Sequence, residues 1–103
     1  MNASDSADAA YCDCLAVVER CTLELVAVRR SRGMDAQADF AAFSLLQQIE
    51  NALTVASDLA STAEARACLE QARQEVADQA HEAELLCAAW NRAMDEARNH
   101  TLH

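Results

Sequence analysis

The sequence has no proline, no lysine, and a single glycine, Gly33. Sandwiches, barrels and α/β sheets need many turn residues, so their near absence excludes those classes. Aromatic residues are also sparse: Tyr11, Phe40, Phe43 and Trp90. No apolar run approaches the 18 or more residues of a membrane span. Residues 1–10 lack a basic segment followed by an apolar one, so no secretory signal is read there and a cytoplasmic location is expected.

What remains is alanine, leucine, valine and acid. Apolar residues make up 52% of 103 positions, enough for one small core and too many for a disordered chain. The formal charge is −9, with arginine as the only strong base. Rich alanine and arginine without lysine is the codon usage of a GC-rich bacterial genome. The acidic balance speaks against binding a phosphate backbone, so nucleic acid is not an expected partner, and no membrane partner is expected either.

Apolar residues recur at steps of three and four in three stretches, which predicts an all-α chain. The first stripe is Tyr11, Cys14, Leu15, Val18, Cys21, Leu25 and Val28, widened by Val17, Leu23 and Val26. Ser4, Asp5 and Ser6 offer caps for a helix starting near residue 7, and Gly33 offers its left-handed stop. Arg29, Arg30 and Arg32 form the one basic cluster, placed to offset the negative end of that helix. Asp35 caps a second helix with the stripe Phe43, Leu46, Ile49, Leu53, Ala56 and Ala60. Ser61-Thr62-Ala63-Glu64 reads as a capping box for a third. Its stripe, Leu69, Ala72, Val76, Ala80, Ala83, Cys87, Trp90, Met94 and Ala97, runs unbroken to about Arg98.

The expected architecture is an up-down-up bundle of three helices over residues 7–98, with frayed ends at 1–6 and 99–103. At 1.5 Å per residue the third helix outruns the other two by about three turns. Those turns hold Leu85, Leu86, Ala89, Trp90 and Met94, apolar around most of the circumference. They form the expected interface, covered by a second copy of the chain or by another protein. A break near Gln79–His81 would instead give a four-helix bundle within one chain.

The five cysteines, Cys12, Cys14, Cys21, Cys68 and Cys87, have no zinc-site spacing and read as reduced core thiols. In an up-down-up bundle Cys14 and Cys68 share a level, with Cα atoms about 8–10 Å apart at ordinary helix spacing. Cys12, Cys14 and Cys68 are therefore the alternative metal-binding or redox set. Cys87 is expected near the arginine turn, where positive charge would lower its pKa. Asp78-x-x-His81 is one half of a di-iron motif whose other half is missing.

No Gly-rich phosphate loop or nucleophile elbow is present, so no enzyme activity and no cofactor are expected. The expected function is that of an acidic protein–protein interaction module of the adaptor, chaperone, inhibitor or regulator type. The alternative is a thiol-based metal-binding or redox protein.

Overall fold

Alanine and leucine, both strong helix formers, fill the three periodic stretches, and each becomes one uninterrupted helix. In the computed structural model, which describes residues 3–31 and 35–101, with side chains for 6–30 and 35–99, these are α1 (Ala3–Ser31), α2 (Ala36–Leu59) and α3 (Ala63–Thr101). The protein is an all-α, three-helix fold, with no strand among the described residues. None of its helices is long and apolar enough to cross a membrane.

α1 starts earlier than its Ser4–Ser6 caps suggested, and those residues lie inside the helix. α3 passes Gln79–His81 as continuous helix, so the four-helix alternative is not the fold. Gly33 and Arg32 lie outside the described residues.

The caps are local and specific. The Asp35 carboxylate accepts from the Gln37 N–H at 2.8 Å, starting α2. At α3 the cap is Thr62, whose Oγ1 accepts from the Ala65 N–H at 3.1 Å. The capping box on Ser61 is thus one residue out of place, and Glu64 cannot play its reciprocal part. Arg66 reaches back to donate to the Ala60 carbonyl at 3.3 Å, closing the end of α2.

α2 is the central helix. Its buried residues, Ala42, Leu45, Leu46, Ile49, Ala52, Leu53, Ala56 and Ser57, cover a broad arc of its surface. One side of that arc meets α1, where Cys21 donates its S–H to the Gln48 carboxamide at 3.7 Å. The other meets α3, where Arg73 lies 3.9 Å from Glu50. α1 and α3 do not pack on each other: among the described residues no Cα of one comes within 8 Å of the other. Leu23 and Val26, expected to widen the buried stripe of α1, are instead 65% and 40% exposed. The second buried flank belongs to α2.

The molecule is a rod of 66 × 22 × 22 Å with a radius of gyration of 17.8 Å. A compact chain of this length has a radius near 12.8 Å. The rod exposes 7270 Å², where a compact chain of this mass exposes about 5,700 Å². The roughly 1,600 Å² of difference reflects the rod shape, the open side between α1 and α3 and the projecting end of α3.

Candidate interaction surfaces

The start of α2 fixes how far α3 slides along it. Asp39, in the first turns of α2, takes the indole N–H of Trp90 on one carboxylate oxygen at 2.6 Å. Its backbone carbonyl takes the S–H of Cys87 at 3.7 Å. Two residues of α3, one turn apart, are thereby tied to one residue of α2. Beyond Trp90 there is no more α2, and Asn91–Thr101 projects as about 16 Å of helix.

The apolar stripe does not stop where α2 does. At 100° per residue, Leu86, Trp90, Ala93, Met94 and Ala97 fall within about 100° of one another. Lower down, the buried Ala80, Ala83 and Cys87 centre about 60° round from that arc, so the stripe overlaps the core-facing side at its Met94 edge. Past α2 it faces outward: residues 91–99 are all exposed, Met94 at 45%.

The expected interface residues therefore divide. Leu86, Ala89 and Met94 lie at the surface as read from the sequence. Trp90 is half-buried and is already held within the chain by Asp39. Leu85 is 57% exposed but points about 180° away from Met94, so one partner surface cannot cover both.

A second opening lies between α1 and α3 at the turn end. A cleft of about 410 Å³ is lined there by Val28, Arg29, Asp39, Gln79, Glu82 and Leu86. Arg29 spans it, donating to the Gln79 carboxamide at 3.4 Å. Arg29 and Arg30 occupy the last turn of α1 and are exposed, as the helix dipole argument expects. Arg32 lies outside the described residues.

The cysteines do not assemble. Cys12 and Cys68 are exposed and Cys14 is half-buried. Cys68 lies at the surface rather than on a core face, which corrects the expectation that it faces Cys14 across the core. No group of three or more His, Cys, Asp or Glu side chains is placed to hold a metal among the described residues. Cys87 is buried, and its pKa is raised rather than lowered. Burial is the first cause, with the nearby charges of Asp39 and Glu84 adding to it. The arginines lie on the same level, but the groups facing the thiol are acids.

The Asp39 node is what sequence reasoning missed. Asp39 was legible only as an acid suited to a helix N-terminus. Its role as acceptor for Trp90 depends on the slide of α3 along α2, which no local pattern encodes. No family model, curated protein or solved structure matches the chain.

Proposed function

We propose that this protein is a helical protein–protein interaction module whose docking element is the projecting end of α3. The observation that carries this reading is the apolar stripe continuing past the start of α2, with Met94 exposed on it. Isolated helix of this length is marginal in water, and an apolar face without a neighbour gives it no packing. A partner helix supplies that packing.

The simplest partner is a second copy. The chain as a whole carries −9, but the projecting turns balance Arg92 and Arg98 against Asp95 and Glu96. Two such ends meet without local net repulsion. A different protein bringing an apolar helix would use the same face.

The test is sedimentation of the whole chain beside Met94→Glu and Ala93→Glu, with helicity followed by circular dichroism. The wild type should self-associate at tens to hundreds of micromolar, and each variant should weaken this at least about tenfold, roughly 1.4 kcal/mol. Helicity and melting at dilute concentration should hold, because both residues are exposed. A wild type that stays monomeric removes the second copy. Variants that unfold the dilute monomer remove the docking face altogether.

A further inference from the structure

α2 carries a helix on each flank, and the two flanking helices leave a groove between them. On α1, Tyr11, Leu15, Val18, Thr22 and Val26 fall within about 80° of one another, on the side that Arg29 turns toward Gln79. Leu15 and Val26 are 37% and 40% exposed, and Tyr11 and Val18 half-buried, so this wall is apolar and incompletely covered. The facing side of α3 presents Ala72, Gln79 and Leu86. The mouth above them is acidic. Asp8 and Glu19 stand on the α1 rim, and Glu64, Glu75 and Glu82 on the α3 rim, all exposed. At the turn end the rim of α1 carries Arg29 and Arg30 instead.

We propose that this groove receives an amphipathic helix rich in lysine or arginine, supplied by another protein, as the fourth helix of a bundle. Three observations meet here. Two helices that share a neighbour and whose backbones stay more than 8 Å apart, bridged at the turn end by Arg29 and Gln79, leave the position a fourth helix takes in a bundle. The excess surface of roughly 1,600 Å², which the groove shares with the projecting turns of α3, leaves room for the roughly 800 Å² that one partner contributes to an interface of standard size. The charge selects the occupant: a basic helix lays its apolar face on Leu15 and Val26 and its cations against the two acidic rims. A second copy would bring −9 against −9 in the same groove.

This groove meets the stripe of the projecting end of α3 at Leu86, but its other lining residues lie below Trp90, so variants in those residues and in 91–99 test the two surfaces one at a time. The probe is a labelled synthetic helix of about 18 residues, long enough for five turns, with leucine at i, i+3, i+4 spacing and lysine elsewhere. Its control has the same composition in scrambled order. Both are titrated into the full chain, and amide shifts are mapped. The amphipathic peptide should bind one to one, and the scrambled one at least about tenfold more weakly. Val26→Glu should cost about tenfold, and Glu75→Gln with Glu82→Gln about fivefold. The second pair is fully on the surface and keeps the test valid if Val26→Glu disturbs the fold. Shifts should gather at Tyr11, Leu15, Val26, Glu75 and Glu82. Equal binding of the scrambled peptide would mean bulk charge attraction and overturn the proposal. So would shifts confined to the end of α3, or a dimer of the chain that Val26→Glu abolishes.

Discussion

At the scale of the residue, Asp39 does the most with the least. One carboxylate oxygen holds Trp90 and one backbone carbonyl holds Cys87. A charged acceptor for a part-buried donor is worth about 1.5–3 kcal/mol when removed. Asp39→Ala should therefore destabilise the chain by about 1–3 kcal/mol in urea and shift the emission of its single tryptophan to the red. An unchanged emission maximum would mean the indole is not held there. Cys87, beneath the same residue, should label slowly in the native chain, while Cys12 and Cys68 label at the rate of exposed thiols. Its raised pKa also has a sign. The stabilising contribution of the neutral thiol is fully present below the ordinary thiol pKa and is lost as pH rises through the raised native value. Stability should fall on that alkaline side, and Cys87→Ser should flatten the fall. Glu70 runs the other way. The Arg73 hydrogen bond, and then that of Ser57, hold its pKa below the ordinary value. Its contribution is present above the unfolded value and lost as pH drops through the native one.

At the scale of the element, the helices follow from the sequence and their partners do not. Periodicity placed α2 within a residue of its observed start and end, and it placed the continuous course of α3. A stripe records that a face is buried, however, and not which helix buries it. Leu23 and Val26 widened the apolar face of α1 and suggested that it was buried on more than one side. The structure gives the second buried side to α2, where Leu45 and Leu46 stand side by side and Ala42, Ala52 and Ala56 let both neighbours approach. The composition carries a trace of this: α2 has no basic residue, while α1 and α3 carry arginines. The cap of α3 shows the finer limit. Ser61 and Thr62 are both good caps, and only the backbone decides between them. Thr62→Ala should cost about 1 kcal/mol and Ser61→Ala much less, measured by thermal or urea unfolding. The reverse order would restore the capping box.

At the scale of the whole molecule, the rod offers two surfaces that respond to salt with opposite signs. Both belong to a chain of −9. Association through the end of α3 brings two such chains together at a locally neutral contact, so the opposing force is long-range repulsion between bodies of like charge. Screening weakens that repulsion, since the Debye length falls from about 30 Å at 0.01 M salt to about 10 Å at 0.1 M. Self-association should therefore tighten as salt is added. It should also give a long particle, because only the ends overlap: about 110–120 Å by X-ray scattering, from two 66 Å rods sharing about 16 Å of helix. The groove between α1 and α3 works by attraction to acidic rims, and added salt should loosen a basic helix bound there. Removing residues 91–103 separates the two further. The shortened chain keeps α2 fully paired through Trp90, so it should stay folded, lose self-association, and keep the groove with its salt-weakened binding. If the shortened chain loses both, the projecting turns hold up the bundle itself, and the division of labour between the two surfaces fails.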